Sequence, residues 1–331
     1  MDRQSRRQFL QGSLALAGLG LLSGCGLGPT PAPPKVHRIG YLGVTPGSPA
    51  AEPLFIEGLH ALGWVDGQNV HLEYRWAEGR NERYPDLAAE LVGLGVDLIV
   101  VDSAPAAQAA KEATSTIPIV LSAVGDPVEL GLVASLARPG GNITGVSSVF
   151  PQLVQKRLEL LRESVPRLKR VAVLWSSTPG TIRGRKEAEE AAQSLGLELR
   201  VYEVDDPAQL ESVFEAAMRD QAGALLELGG TFANVHLGQI IDLASKSRLP
   251  ATYARRDFVD AGGLMSYSAR LPDLYRHTAT YADKILKGVK PADLPVEQPT
   301  TFDFVINLKT AQALGLTIPQ SVLLQATEVI Q

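Results

Sequence analysis

Apolar positions along the chain follow two different spacings. Largely apolar runs such as Arg38–Gly43 and Asp97–Asp102 predict strands, whereas Leu87, Leu91 and Leu94 recur at the spacing of a helix. Strands that alternate with amphipathic helices are typical of βαβ units around a parallel sheet. The pattern therefore predicts an α/β fold.

A second series of such units begins at Arg170, and its start repeats the start of the first. Thr45-Pro46-Gly47-Ser48 follows the first strand, and Thr178-Pro179-Gly180-Thr181 follows the strand Val171–Trp175. We interpret the repetition as a weak internal duplication that predicts two Rossmann-like lobes; the alternative is that Thr-Pro-Gly is common turn chemistry. Because ligands bind beyond the carboxyl ends of strands in open α/β sheets, both loops are predicted to face one cleft.

The last third of the chain does not continue either series cleanly. Gly263–Ala269 and Phe302–Asn307 read as additional strands on either side of a helix, Leu274–Leu286. Together with Asn142–Ser148 they predict three crossing strands between the lobes, which would form a hinge. The expected lobes are residues 37–145 plus 267–301 for the first, and residues 146–266 plus 302–331 for the second.

The N-terminal segment has the layout of a secretory signal peptide. Arg3, Arg6 and Arg7 precede the apolar run Phe9–Leu22, which is shorter than the roughly 20 residues of a membrane-spanning helix. A buried amphipathic helix is a poorer interpretation, because apolar residues occupy every face of the run. Ser5–Leu10 also resembles a twin-arginine export signal, with Sec export as the alternative.

Cys25 ends a Leu-Ser-Gly-Cys sequence that resembles the lipobox of bacterial lipoproteins. We therefore expect cleavage of residues 1–24 and acylation of the Cys25 thiol, which becomes the first residue of the mature protein. Residues 25–36 are rich in Pro and Gly and predict an extended tether. The protein is expected to be exported to the periplasm or the outer face of the cytoplasmic membrane and held there by its lipid.

Composition and missing motifs exclude several classes of function. The 331-residue chain has a formal net charge of −5, which provides no electrostatic footprint for nucleic acid, and its single Cys excludes a disulfide framework. The five His are scattered, and no P-loop, His-Glu-x-x-His or Gly-x-Ser-x-Gly sequence occurs. We therefore predict no enzymatic activity, no cofactor, no metal site and no nucleic-acid partner.

The candidate ligand site consists of residues that follow the strands of both lobes. Hydroxyl groups beside helix N-termini suit a carboxylate, Asp126 suits an ammonium group, and aromatic side chains could form a wall. Alternative roles are a helix cap for Asp126, plain core for Trp175 and a solvated position for Arg255. The predicted ligand-binding residues are Thr45, Ser48, Ser103, Asp126, Trp175, Ser177, Thr178, Phe232, Tyr253 and Arg255.

Several motifs are spread over almost the whole mature chain. They are Gly125-Asp126-Pro127-Val128, Leu136–Gly141, Asn142-Ile143-Thr144-Gly145, Gly262–Tyr267, Leu294–Pro299, Val305–Ala311 and Ala313–Pro319. Together they resemble the solute-binding lipoproteins of ATP-binding-cassette (ABC) importers related to the tryptophan- and tyrosine-binding group. The resemblance implies a type I periplasmic-binding fold. Glu227–Thr231 and Arg255-Arg256 depart from the family pattern, so no family pocket is carried over residue by residue.

The leading hypothesis is an extracytoplasmic solute-binding lipoprotein that closes on a small solute and delivers it to an ABC permease. The solute is expected to be a zwitterion or carboxylate, such as an aromatic or branched amino acid. An alternative is a sensory subunit that presents the same ligand state to a signalling receptor. The ligand-binding core of a transcription repressor is disfavoured, because the export signal and the tether occupy the place of a DNA-binding helix-turn-helix.

Overall fold

The computed structural model describes residues 35–46 and 51–331. The predicted signal peptide, Cys25 and Ser48 lie outside the described residues. Residues from Val36 to Gln331 form one unit that contains two separate sheets. None of the helices in the described part of the chain is long and apolar enough to cross a membrane.

The first sheet and its helices come mainly from the N-terminal half of the chain. Its strands are β1 (His37–Gly43), β2 (Val70–Trp76), β3 (Leu98–Val101), β4 (Ile119–Val124) and β5 (Ile143–Ser147), and its helices are α1 (Ala51–Ala61), α2 (Tyr84–Gly93) and α3 (Ala104–Ala113). The strands are all parallel, in the order β2-β1-β3-β4-β5. Every residue of β3 and β4 is buried, because helices cover both faces of the sheet.

The second sheet contains seven strands. They are β6 (Arg170–Trp175), β7 (Glu198–Glu203), β8 (Ala224–Glu227), β9 (Ala251–Tyr253), β10 (Met265–Ala269), β11 (Phe302–Asn307) and β12 (Glu328–Ile330). The accompanying helices are α4 (Val154–Ser164), α5 (Pro179–Leu195), α6 (Leu210–Arg219), α7 (Thr231–Val235), α8 (Leu237–Lys246) and α9 (Arg256–Asp260). The order is β12-β11-β10-β9-β8-β6-β7, with β10 and β11 antiparallel.

Helix α10 (Leu271–Leu286) returns the chain to the first lobe. It packs against α1 and contributes to the core of the first sheet, although β10, which precedes it, belongs to the second sheet. After α10 the chain enters the second sheet again through β11 and ends with α11 (Leu308–Ala313), α12 (Gln320–Leu323) and β12. The predicted α/β fold with two lobes and three crossings is confirmed.

The crossings lie at the ends of the strands. Val146 and Ser147 still belong to β5 of the first sheet, and Tyr267–Ala269 belong to β10 of the second sheet. The lobe boundaries therefore differ by a few residues from those expected from the sequence. The reason is that β5 still pairs with β4 at Ser147, and β10 still pairs with β11 as far as Ala269.

Candidate ligand-binding site

A cavity of about 110 Å³ lies between the two lobes, at the carboxyl ends of the strands. The first lobe contributes residues that follow β1, β3 and β4, and the second lobe contributes residues that follow β8 and β9. Both lobes also place a helix N-terminus at the cavity. The geometry is therefore that of a cleft whose walls belong to different lobes.

Asp102 follows β3 and supplies the carboxylate of the cavity. Its Oδ2 atom accepts a hydrogen bond from the Tyr41 hydroxyl at 3.4 Å, whereas its Oδ1 atom is buried without a hydrogen-bond partner among the described residues. Burial raises the pKa of Asp102 to about 7, against the opposing effects of the Val44 N–H, the Tyr41 hydroxyl and the charge of Arg255. A ligand that brings a cationic donor would therefore stabilise the ionised carboxylate.

Arg255 is the cation that borders the same cavity. Its Nε atom donates to Oδ1 of Asp257 at 3.1 Å and its Nη2 atom donates to Oδ2 at 2.8 Å. The guanidinium also lies close enough to Tyr275, which belongs to the first lobe, for the two side chains to affect each other's pKa. Because Arg255 is paired with Asp257, its charge offsets the burial of Asp102 only in part, and Asp102 itself has no ion pair among the described residues.

Asn234, in the short helix α7, borders the cavity from the second lobe. Its Oδ1 atom, like that of Asp102, is buried without a hydrogen-bond partner among the residues described. Two acceptor oxygens from opposite lobes therefore border one space. A ligand ammonium group has three N–H donors and could bind both oxygens at once.

The helix N-termini at the cavity favour an anionic group. Ser103 caps α3 by accepting a hydrogen bond from the Ala106 N–H at 3.4 Å. In the second lobe, Thr178 and Thr181 form a capping box at the start of α5, and both residues line the cavity. Unpaired N–H groups and the helix dipole stabilise negative charge at such positions. The site can thus bind opposite charges at separate places.

The remaining walls of the cavity are largely apolar. Phe150 and Pro151 lie on the first crossing, Leu228 follows β8, and the ring of Tyr275 is contributed by α10. Tyr275 is buried. Apolar walls with a few polar groups are the usual lining of a small-molecule site. These walls suit an aromatic or branched side chain.

Four of the ten predicted ligand residues border the cleft. Ser103, Thr178 and Arg255 line the cavity, and Thr45 lines an adjoining part of the cleft that also includes Asp102. Ser48 lies outside the described residues. These hydroxyl and guanidinium groups follow strand ends, as predicted, and lie where a ligand could contact them.

Four other predicted residues do not line the cavity. Trp175 and Tyr253 are buried in the core of the second lobe, where the Tyr253 ring stacks on Phe258 at 4.8 Å between centroids. Phe232 packs beside His236, and Ser177 is exposed. The aromatic residues that the structure places at the cavity instead are Phe150 and Tyr275, described above.

Asp126 caps a turn and does not line the cavity. Its Oδ1 atom accepts hydrogen bonds from the Val128 and Glu129 N–H groups, both at 3.2 Å, and its Oδ2 atom accepts one from the Gln152 side chain at 3.1 Å. The segment after Pro127 is a hydrogen-bonded turn, where a helix was the alternative expected from the sequence. The carboxylate that lines the cavity is that of Asp102 and not that of Asp126.

Asp126→Ala is expected to lower the free energy of unfolding by about 1 kcal/mol, the usual cost of losing a side-chain cap. Ligand affinity is expected to change by less than about threefold, because the carboxylate bonds to the turn and to Gln152 and does not line the cavity. Denaturant unfolding and calorimetric titration of this one variant measure both quantities. A large loss of affinity without loss of stability would return Asp126 to the ligand site.

The stability of the ligand-free protein is expected to fall as the pH rises from about 4 to about 7. The pKa of Asp102 is about 7 in the folded chain and 3.8 ordinarily, so the folded state retains a proton over this range that the unfolded chain releases. The loss is at most about 1.4 kcal/mol for each pH unit. Asp102→Asn is neutral throughout, so urea unfolding at several pH values should show a weaker decline for this variant. Identical pH profiles would contradict the desolvation of Asp102.

Comparison with known proteins places these features in a family. The sequence matches the family described as "ABC transporter substrate binding protein" over residues 46–330. A curated relative, the tyrosine-binding protein of Clostridioides difficile (strain R20291), is 27% identical over 266 residues, which cover 79% of this chain and 75% of that protein.

Solved structures share the architecture. The ABC domain in complex with L-Trp from Streptococcus pneumonia is 31% identical, with a TM-score of 0.83 over 89% of this chain and 99% of that one. A ligand-free, open substrate-binding protein with adhesive properties from Clostridium difficile is 25% identical, with a TM-score of 0.65 over the same shares of the two chains. The chain therefore has a type I periplasmic-binding fold and belongs to the family of ABC transporter substrate-binding proteins.

Proposed function

We propose that this protein is the substrate-binding subunit of an ABC importer and that it binds an aromatic or branched amino acid between its lobes. The names of the tyrosine-binding relative and of the L-Trp complex support an amino-acid ligand. The proposal is carried by two acceptor atoms from opposite lobes at one cavity, Asp102 Oδ1 and Asn234 Oδ1, which have no hydrogen-bond partner within residues 35–46 and 51–331.

The proposed binding mode follows from the distribution of charge in the cavity. The ligand ammonium group would lie between Asp102 and Asn234, because both have a free acceptor. The ligand carboxylate would lie at the N-terminus of α5, beside Thr178, and the side chain would pack against Phe150 and Tyr275. An α-amino acid matches this arrangement, because its α-carbon carries an ammonium group, a carboxylate and a side chain.

Contacts between the lobes support closure around the ligand. Arg183 of α5 forms an ion pair with Glu129 of the first lobe, and Arg255 of the second lobe lies beside Tyr275 of the first. The TM-score is 0.83 with the L-Trp complex and 0.65 with the ligand-free, open protein. We infer that the lobes are arranged here as in a closed, ligand-binding state, which opens by separating these contacts.

A thermal-shift screen of the mature protein tests the ligand class. The panel contains the standard amino acids, nucleosides and sugars. A ligand at 100 times its Kd adds about 2.7 kcal/mol to the free energy of unfolding, so L-tryptophan, L-tyrosine or a branched amino acid is expected to raise the Tm by several degrees. Stabilisation by sugars or nucleosides with none by amino acids would contradict the proposal.

Delivery to a permease is the second part of the proposal. A sensory subunit would use the same closure, so the partner distinguishes the two functions. Crosslinking of the ligand-loaded protein in membranes is expected to recover the transmembrane subunit of an ABC importer. Recovery of a signalling receptor in its place would favour the sensory alternative.

We also propose that Cys25 attaches the exported protein to the membrane, since the Leu-Ser-Gly-Cys sequence resembles a lipobox. Each buried methylene contributes about 0.8 kcal/mol, so two or more acyl chains hold a protein firmly where one chain exchanges. Cys25→Ser removes the thiol that would be acylated, so the variant is expected to carry no lipid and to keep residues 1–24 uncleaved at this site. Mass spectrometry of both proteins measures this, and a mature wild-type protein without lipid would contradict the anchor.

A further inference from the structure

Arg157 of α4 is a fully buried cation that does not border the ligand cavity. Its Nε atom donates a hydrogen bond to the backbone carbonyl of Tyr267 at 3.0 Å. Its Nη2 atom donates to the backbone carbonyl of Phe150 at 3.2 Å. Burial of a guanidinium in a protein core is costly, so a buried Arg with backbone partners is an unusual feature that needs a role.

The partners of Arg157 are parts of the hinge. Phe150 lies on the first crossing, between β5 and α4, and Tyr267 lies in β10, immediately before the second crossing. The ring of Tyr267 also stacks on that of Phe302, the first residue after the third crossing, with 6.0 Å between centroids. Arg157 therefore contacts Phe150 on the first crossing and Tyr267 just before the second. The ring of Tyr267 in turn contacts Phe302, just after the third.

Glu227 is a fully buried anion of the same lobe. Its carboxylate accepts hydrogen bonds from two loops that line the ligand cavity. Its Oε1 atom accepts a hydrogen bond from the Gly229 N–H, and its Oε2 atom accepts one from the Ala254 N–H at 3.0 Å. Gly229 and Ala254 both line the cavity. The carboxylate thus fixes the two backbone segments through which the second lobe contacts a ligand.

Helix α4, which carries Arg157, packs against β8, the strand that ends at Glu227. The two buried charges also offset each other's burial. Burial lowers the pKa of Arg157 to about 10 and raises the pKa of Glu227, and in both cases the charge of the other residue opposes the effect of burial. Loss of the guanidinium would leave the Glu227 carboxylate without this compensation and would weaken its ability to hold the Gly229 and Ala254 amides.

We propose that Arg157 is a positioning residue that couples the three hinge crossings to the ligand-binding loops of the second lobe through Glu227. It would set ligand affinity and the rate of cleft closure without contacting the ligand. This inference rests on the proposed function for its effect on affinity. Its effect on the loops exists without any ligand, so the two parts can be tested separately.

The test compares Arg157→Lys with Arg162→Lys, which makes the same change at an exposed position of the same helix. Arg157→Lys keeps the positive charge but loses the fork that donates to Phe150 and Tyr267 at once. In the ligand-free protein, hydrogen exchange of the Gly229 and Ala254 amides is expected to be about tenfold faster, relative to exchange in β3, in Arg157→Met, and to stay near wild type in Arg157→Lys, which keeps the charge that compensates Glu227. Affinity for L-tryptophan or L-tyrosine is expected to fall about tenfold, mainly through slower closure in stopped-flow measurements.

A double variant separates charge compensation from positioning. Arg157→Met is expected to destabilise the protein strongly, and Glu227→Gln in the same chain is expected to restore most of the Tm, because it removes the uncompensated charge. Affinity is expected to remain low in the double variant, because the crossings stay unattached. Wild-type amide exchange in Arg157→Met, or wild-type affinity in Arg157→Lys, would overturn the proposal. Faster exchange in a protein that binds no amino acid would uphold the positioning role and reject the amino-acid function.

Discussion

Asp102→Asn is expected to weaken the binding of L-tryptophan or L-tyrosine by at least about thirtyfold. The change keeps the shape of the side chain but removes the charge that we place against the ligand ammonium group. Loss of one partner of a desolvated charge pair costs about 2 to 5 kcal/mol, and 1.4 kcal/mol corresponds to about tenfold in Kd. Isothermal titration calorimetry at pH 8 measures the effect, because the wild-type carboxylate is ionised there.

The matched control for this variant is Asp126→Asn. The same carboxylate-to-amide change is then made at a residue that caps a turn and does not line the cavity. Affinity is expected to stay within about threefold of wild type. The Asp102→Asn protein should melt at the wild-type temperature or above, since a buried charge without a counter-ion has been removed. Equal affinities for the wild type and Asp102→Asn would remove Asp102 from the site.

Gly230→Ala is expected to lower the free energy of unfolding by about 1 to 3 kcal/mol and to weaken ligand binding by more than tenfold. Gly230 has φ 103° and ψ 166°, a backbone conformation that side chains with a Cβ atom rarely adopt. The added methyl group would lie 3.1 Å from Cγ2 of Thr181 and 3.4 Å from Oγ of Ser176. Relief of this strain requires movement of the loop that lines the cavity.

Gly238→Ala is the control for the glycine substitution. Gly238 lies in α8, and a Cβ atom there would have no heavy atom within 4 Å. Alanine in a helix is expected to raise stability by up to about 1 kcal/mol and to leave affinity unchanged. Denaturant unfolding and calorimetric titration of both variants measure the contrast. A Gly230→Ala protein with wild-type affinity would show that the loop conformation is not needed for binding.

The fold can be predicted from the sequence because the central strands of the sheets are buried on both faces. Ile119–Val124, for example, is apolar except for Ser122, so its pattern differs clearly from the helical spacing of the segments beside it. The positions of Ser103 and Thr178 at the cavity can be predicted for a related reason. Each follows a strand and begins a helix, and that position can be read directly from the change of spacing.

The other residues of the cavity depend on the path of the chain in three dimensions. Tyr275 reaches the cleft because α10 returns to the first lobe, which the spacing within α10 does not encode. Trp175 and Tyr253 end strands, but successive residues of a strand point to opposite sides, and both side chains point into the core. In the sequence, Asp102 ends the apolar run that forms β3. An acidic residue at the carboxyl end of a strand is the one feature there that indicates a ligand site.

Calorimetric titration with matched ligands shows whether the cavity binds an ammonium group. The mature wild-type protein is titrated with L-tryptophan and L-tyrosine, and with indole-3-propionate and 3-(4-hydroxyphenyl)propionate, which keep the carboxylate and the ring but lack the amino group. If the ammonium group lies between Asp102 and Asn234, at least one amino acid is expected to bind, and its analogue without the amino group is expected to bind at least about thirtyfold more weakly. Equal affinity for an amino acid and its analogue would contradict the binding of an ammonium group between Asp102 and Asn234.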